Sequence, residues 1–263
     1  MNKNITFQLL PMAIAVLLYN SCSKNSETIN IRTDKYTITA NVLKDSIAIN
    51  DKKDTIHILN GLYIYSDSLV KIRGEFSKGV LDGVFSIEQK SSKYEGRFVK
   101  NNGSQTAKDV FLSYFNYNPS KSIDKRFSSE LGTPDGKHVV WVKDYKMDKK
   151  TFTGNIREAY FSSGLPDKTW KQHLYDDIWE EIEFINGTKI KSKKTKNQLV
   201  ISETFYKNGS EFEELDYEYD ENSNLIKKKI FNYESLKSIT EHYDNNGILL
   251  KKIMDGKEYI YEA

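Results

Sequence analysis

Hydrophobic and polar residues alternate with a period of two along most of the chain from residue 29 onward. The alternation is regular in residues 36–42, 70–76 and 215–219, where single polar residues separate aliphatic or aromatic ones. Successive side chains of a β-strand point to opposite faces of its sheet. Each of these segments is therefore predicted to be a strand with one buried face and one solvated face.

Dipeptides that favour tight turns separate the alternating segments. Asn-Gly and Asp-Gly tolerate the positive φ angles that short hairpin turns require. Such pairs, together with one Lys-Gly, begin at Asn60, Lys78, Asp82, Asn102, Asp135, Asn186, Asn208, Asn246 and Asp255. The pattern predicts an all-β protein, an array of antiparallel β-hairpin repeats that forms an elongated twisted sheet.

Two segments also fit a helix. Apolar residues from Trp170 to Ile182 recur every four positions, which is a helical spacing. The same stretch can form strands over residues 169–175 and 178–185 around a turn at Asp176, and we favour this hairpin. The second segment is residues 107–114, where a short helix is the alternative to a strand.

A short motif recurs along the sequence: an aromatic residue, a polar link, a glycine and then an aspartate before the next strand. Its copies are residues 75–85, 127–137 and 160–170. A turn-forming aspartate must recur wherever its turn does, so we predict Asx-turns rather than a functional site. The predicted turn residues are Asp82, Gly83, Asp135, Gly136 and Asp167. A second repeat, residues 219–228, returns at residues 243–252, an offset of 24.

These copies resemble the MORN-repeat variant of antitoxin-like bacterial lipoproteins, most closely at residues 164–170. The resemblance covers residues 69–253, although the copy at residues 127–137 has two extra residues before its glycine. The second repeat also looks like the tyrosine-aspartate repeats of secreted β-shells. The resemblance implies stacked hairpins over residues 69–263 and an inhibitory or immunity role toward a protein partner. Residues 29–68 lie outside it and are predicted to be a strand-rich N-terminal lead-in.

The first 21 residues have the composition of a secretory signal peptide. The apolar stretch at residues 5–18 is too short to cross a bilayer, which takes about 20 residues. The sole cysteine, Cys22, follows it, and the sequence resembles a bacterial lipobox except at Tyr19 and Asn20.

The lipobox resemblance implies cleavage before Cys22 and lipidation of this residue, which would attach the protein to a membrane. Residues 22–28 would then form a polar tether. Ser23, in place of the aspartate that favours inner-membrane retention, points to the outer membrane of the cell envelope. There are two alternatives: the segment is an uncleaved anchor, or it is an ordinary signal peptide that a cysteine follows by chance.

The charge balance argues against nucleic acid as a partner. The chain has 39 Lys and Arg against 37 Asp and Glu, a net charge of +2, without the clustered basic excess of a nucleic-acid-binding protein. One basic stretch, near a predicted hairpin tip, is a candidate binding site. It contains Lys191, Lys193, Lys194 and Lys196. A solvated strand face is the alternative interpretation of these lysines.

Motifs for catalysis are missing from the sequence. The four histidines are scattered, and neither a Gly-x-Ser-x-Gly elbow nor a glycine-rich phosphate loop occurs. We therefore predict no catalytic residue, no metal site and no cofactor. The predicted function is that of a lipid-anchored binding or scaffold protein whose sheet recognises a protein or polysaccharide partner. The alternative is an envelope glycan hydrolase that uses dispersed carboxylates.

Overall fold

The alternating segments form strands in the computed structural model, which describes residues 25–49, 55–100, 105–147 and 150–261. Of these residues 71% lie in strands and 7% are helical. The predicted all-β class, an array of antiparallel hairpins, is confirmed. The predicted signal peptide and Cys22 lie outside the described residues.

Eighteen strands in the described part of the chain form one sheet. The first six are β1 (Ser26–Arg32), β2 (Tyr36–Ile49), β3 (Thr55–Asp67), β4 (Val70–Ser77), β5 (Val80–Gln89) and β6 (Ser92–Val99). Helix α1 (Gln105–Phe115), a 3-10 helix (Pro119–Ser122) and the short β7 (Phe127–Ser128) follow. The next four strands are β8 (Thr133–Met147), β9 (Lys150–Ser162), β10 (Leu165–Tyr175) and β11 (Ile178–Ile185). The last seven are β12 (Thr188–Lys196), β13 (Leu199–Lys207), β14 (Ser210–Tyr219), β15 (Leu225–Asn232), β16 (Lys237–Tyr243), β17 (Leu249–Met254) and β18 (Lys257–Ile260).

Strands that follow one another in the chain are antiparallel neighbours in the sheet, from β1 to β6 and again from β8 to β18. Strand β6 pairs directly with β8, and β7 lies parallel to the start of β3. The lead-in predicted for residues 29–68 is continuous with the rest of the sheet because β3 pairs with β4. The tether predicted for residues 22–28 overlaps β1, which begins at Ser26.

Two-residue turns join many of the strands. At six of them both turn residues have positive φ, near +50° and then between +70° and +83°, which matches the right-handed twist of the flanking strands. These turns are Lys78–Gly79, Ser163–Gly164, Asn186–Gly187, Asn197–Gln198, Asn208–Gly209 and Asp255–Gly256. Residues 165–185 form the predicted hairpin, β10 and β11, and not a helix.

The recurring Asp motif forms β-bulges inside strands, and the predicted turns at these positions are wrong. In β8 and β10 the pairing register shifts directly after the aspartate, and in β5 the shift begins after Leu81 and includes Asp82. The residues that follow Asp82, Asp135 and Asp167 have positive φ: +138° at Gly83, +69° at Gly136 and +59° at Lys168. A bulge inserts an extra residue into one strand and bends it. The repeat therefore places bends in the sheet at regular intervals.

Side chains at two of these bulges, and at a similar one at Asn60 where the pairing of β3 with β2 shifts, bind the backbone directly after the neighbouring strand. The three bonds join Lys78 N to Asn60 Oδ1 (3.1 Å), Lys100 N to Asp82 Oδ1 (3.0 Å) and Ser163 N to Asp135 Oδ1 (3.2 Å). Among the described residues no group donates a hydrogen bond to the Asp167 carboxylate. Asn60, Asp82 and Asp135 thus bind backbone groups that are distant in sequence and do not close turns of their own.

Asx-turns occur in the second repeat instead. Asp220 Oδ1 accepts bonds from the backbone N–H groups of Asn222 (2.9 Å) and Asn224 (2.8 Å). The equivalent bonds, 24 residues later, join Asp244 Oδ1 to Asn246 N (2.9 Å) and Ile248 N (2.8 Å). The two copies of this repeat therefore have the same local structure.

The connection between β6 and β8 covers one face of the sheet. These two strands are neighbours, and of the described residues between them only β7 pairs with the sheet, at the start of β3. Helix α1 forms part of this cover, which confirms a helix at the second ambiguous segment. Its buried side chains, Ala107, Phe111 and Phe115, are four residues apart and face the sheet. A helix of 11 residues is marginal in isolation, so this packing stabilises it.

The core lies between α1 and the strands from β2 to β11. Buried residues alternate along each strand, as at Ile38, Ala40 and Val42 in β2. Large aromatic side chains fill much of the volume, and Phe98 and Trp170 are almost completely buried. The alternation in residues 36–42 therefore identified the buried face correctly.

From β12 to β18 the described sheet has no covering layer. In this part only Ser192 and Leu215 are buried. Cross-strand pairs on both faces take over the stabilising role of a core. One apolar row, for example, places Leu215 opposite Ile230, Ile230 opposite Ile239 and Ile239 opposite Met254.

Candidate binding surfaces

The four lysines predicted to bind a partner lie along β12, and of these only Lys196 is next to a hairpin turn, Asn197–Gln198. Alternation places Lys191 and Lys193 on one face of the sheet, and Lys194 and Lys196 on the other. Lys191 Nζ is 2.6 Å from a carboxylate oxygen of Glu203, and Lys193 Nζ is 2.7 Å from one of Glu181. The lysines therefore do not form a single basic patch, and their binding role stays a prediction.

Lysines and glutamates alternate across four neighbouring strands on the face opposite α1. Lys171, Glu181, Lys193 and Glu203 lie directly opposite one another in the registers of β10 to β13. The hydrogen bond from Lys193 is the main cause that lowers the pKa of Glu181. This row is a charge-neutral cross-strand ladder that supports the sheet.

An aromatic cluster occupies the same outer face near the ends of β8 to β11. We define the outer aromatic cluster as Tyr145, Phe152, His173 and Trp179. The ring centroids of Tyr145 and His173 are 5.8 Å apart, those of His173 and Trp179 5.4 Å, and those of Phe152 and Trp179 5.5 Å. The cluster is open to solvent, since Tyr145 is 39% exposed and the other three rings are partly exposed.

The outer position of Trp179 follows from the strand that carries it. Ile182 in β11 is buried against the core below α1. Trp179 is an odd number of residues away, so its side chain points to the opposite face. The ammonium group of Lys171 lies 5.3 Å from the centre of the Trp179 ring, a cation–π contact. The outer aromatic cluster is therefore an exposed apolar patch with a cation at its side.

A cleft of about 400 Å³ opens on the inner face, below the C-terminal end of α1. Its floor is one cross-strand row, in which Ile87 is opposite Tyr94, Tyr94 opposite Val140 and Val140 opposite Arg157. Phe115 and Tyr117 line it from the helix side. Apolar and aromatic groups thus form most of the surface, with few polar groups at the rim.

No sequence motif singled out His138 from the other three histidines, and the structure places it in the core. This residue of β8 has no exposed surface. The rings of Phe98, Phe111 and Phe161 have centroids 5.0, 5.2 and 5.2 Å from its own. Its Nδ1 is hydrogen-bonded to the hydroxyl of Tyr94 at 2.9 Å. Burial lowers the pKa of His138 to about 4, against weaker opposing bonds to backbone groups.

The carboxylates do not converge on the cleft. Asp216 is a carboxyl group with a raised pKa, caused by burial and by Glu214 two residues away. Both belong to β14, in the uncovered part of the sheet. Neither lines the cleft, and its described lining contains no Asp or Glu side chain.

Within the described ranges, no group of three or more His, Cys, Asp or Glu side chains could hold a metal ion. No helix in this part of the protein is long and apolar enough to span a membrane. No protein-family model matches the chain, and no curated protein matches its sequence.

Proposed function

We propose that the protein is a non-catalytic binding protein of the cell envelope, anchored to the outer membrane through lipid on Cys22. Its partner is an extended protein or polysaccharide that contacts the outer aromatic cluster. The observation that carries this proposal is the exposure of Tyr145, next to the rings of His173 and Trp179, on a sheet whose other face is packed.

Exposed aromatic side chains on a rigid support are suited to anchor a partner. Trp and Tyr residues contribute most of the affinity in many interfaces, because they bury large areas with little loss of side-chain entropy. Here neighbouring rings already hold one another in place, mostly edge to face. Of the two proposed partner classes, the antitoxin-like resemblance favours a protein, which this chain would inhibit.

A capture experiment tests the proposal. Tagged residues 23–263, which contain every described strand and helix, are incubated with solubilised envelopes, and bound protein and glycan are identified. We expect a specific partner, and a loss of affinity of at least tenfold for Trp179→Ala when that partner is purified and titrated.

The matched control is Tyr259→Ala. Tyr259 is a 42% exposed aromatic residue of β18, far along the strand order from the cluster. Equal affinity of Trp179→Ala and wild type would contradict the assigned surface. Turnover of an envelope glycan by the purified protein would contradict the non-catalytic proposal as a whole.

A further inference from the structure

We propose that the cleft below the C-terminal end of α1 binds a medium-chain fatty carboxylate, with its chain on the apolar floor and its carboxylate on Arg157. This ligand site is separate from the outer aromatic cluster, because it lies on the opposite face of the sheet. The proposal rests on three features of the cleft: its lining, its unpaired cation and its size.

The lining suits an aliphatic chain. Ile87, Val140 and Ile156 supply branched aliphatic surface, and the rings of Phe115 and Tyr117 close the other side. None of these five side chains offers a charge. Apolar ligand atoms placed here would move from water to a mainly apolar surface.

Arg157 supplies a cation without a counter-ion. Its Nη1 donates to the carbonyl oxygen of Tyr114 (2.7 Å), and the guanidinium lies 5.4 Å from the centre of the Tyr114 ring. In the described part of the chain no carboxylate forms an ion pair with Arg157. Lys93, also in the lining, differs because it is paired with Glu95 at 2.7 Å. The remaining donors of Arg157 are therefore available to an anionic ligand.

The size and the single cation restrict the ligand class. A volume of about 400 Å³ lies within the range of about 300–1,000 Å³ that small-ligand sites occupy. One chain of about ten carbons fits this range, whereas a two-chain phospholipid exceeds it. A guanidinium pairs well with a planar carboxylate, because two parallel N–H···O bonds form.

Calorimetric titration with decanoate and decanol tests the assignment. The two probes share a chain and differ in the head group. We expect saturable binding of decanoate by residues 23–263, with decanol at least tenfold weaker. Arg157→Gln should weaken decanoate binding at least tenfold and leave decanol unchanged, since glutamine keeps a donor for the Tyr114 carbonyl.

The matched control is Arg97→Gln, which removes an exposed arginine of β6. It should leave binding of both probes unchanged. A second measurement needs no variant: decanoate should shift the methyl resonances of Ile87, Val140 and Ile156 and not that of Ile239. Equal affinities for the two probes, unaltered decanoate binding by a folded Arg157→Gln, absence of saturation, or unshifted cleft methyls would each overturn the proposal.

Discussion

Replacing His138 by leucine should remove a pH-dependent part of the free energy of unfolding. The ring of His138 has no exposed surface, and burial lowers its pKa to about 4. In the unfolded chain the pKa of a histidine is about 6.5. The unfolded state therefore binds a proton over a pH range in which the folded state does not.

The sign of the effect follows from this difference. A histidine whose pKa is lower in the folded state stabilises the fold fully above the unfolded pKa, and this stabilisation is lost as the pH falls toward the folded pKa. With values of about 4 and about 6.5, the loss is about 2 kcal/mol between pH 7 and pH 5. Over the whole interval it approaches about 3 kcal/mol.

Urea unfolding at pH 7, 6 and 5 measures the effect. The leucine variant loses the hydrogen bond with Tyr94 and is less stable at neutral pH, so the informative quantity is the difference between wild type and variant. This difference should fall by about 2 kcal/mol from pH 7 to pH 5. Carboxylates titrate alike in both proteins, so their contributions to the free energy of unfolding cancel in this difference.

A non-titrating core substitution is the control. Phe76→Leu removes part of a buried ring that contacts Tyr63, and its difference from wild type should stay constant over the same range. The reasoning is refuted if the His138→Leu difference also stays constant within about 0.5 kcal/mol, because His138 would then titrate alike in both states.

Three further predictions concern other parts of the chain. Cys22→Ser should leave the precursor unprocessed and abolish acyl labelling in cells, and labelling that survives would contradict lipidation. Asp82→Ala should lower the free energy of unfolding by about 1 kcal/mol because Lys100 N loses its acceptor, whereas Asp167→Ala should cost less than about 0.5 kcal/mol. Equal losses in denaturant titrations would contradict the difference between the two bulges. Lys193→Met should raise the pKa of Glu181 in a carboxyl NMR titration and change stability by less than about 1 kcal/mol, and an unchanged pKa would exclude their ion pair.

Local alternation was sufficient to predict much of the sheet. Ile38, Ala40 and Val42 were assigned to a buried strand face from the period of two, and they are buried. The hairpin of β10 and β11 was favoured over a helix, and the registers confirm it. Strand face and strand class depend on neighbours in the sequence, so the sequence contains this information directly.

The bulges could not be predicted from local sequence alone. An Asp-Gly pair supplies positive φ equally well to a two-residue turn and to a bulge inside a strand. Asp82 and Gly83 were therefore predicted to form a turn, although the chain continues through them as β5. Pairing with β4 and β6 decides between the two outcomes, and that pairing is set by residues distant in sequence.

The candidate sites could not be predicted for the same reason. The cleft combines Ile87, Val140 and Arg157 from three strands with Phe115 from the helix. The burial of His138 likewise depends on α1, because this helix places the ring of Phe111 against the imidazole. A histidine beside two valines in an alternating segment gives no indication that a helix will cover it.

Both proposed binding surfaces lie in the half of the sheet that has a core. Strands β8 to β11 present the outer aromatic cluster on one face and contribute Val140 and Arg157 to the cleft on the other. In the described strands, the bulges with positive φ occur between β3 and β10, where the sheet packs on α1. Bulges bend a sheet, so the recurring Asn and Asp motif helps to wrap this half around the helix. Binding sites need rigid support, and packed strands provide it better than the uncovered strands from β12 onward. The repeat therefore contributes to the proposed binding surfaces indirectly. It bends the part of the sheet that packs on α1, and these packed strands hold the aromatic rings and Arg157 in fixed positions.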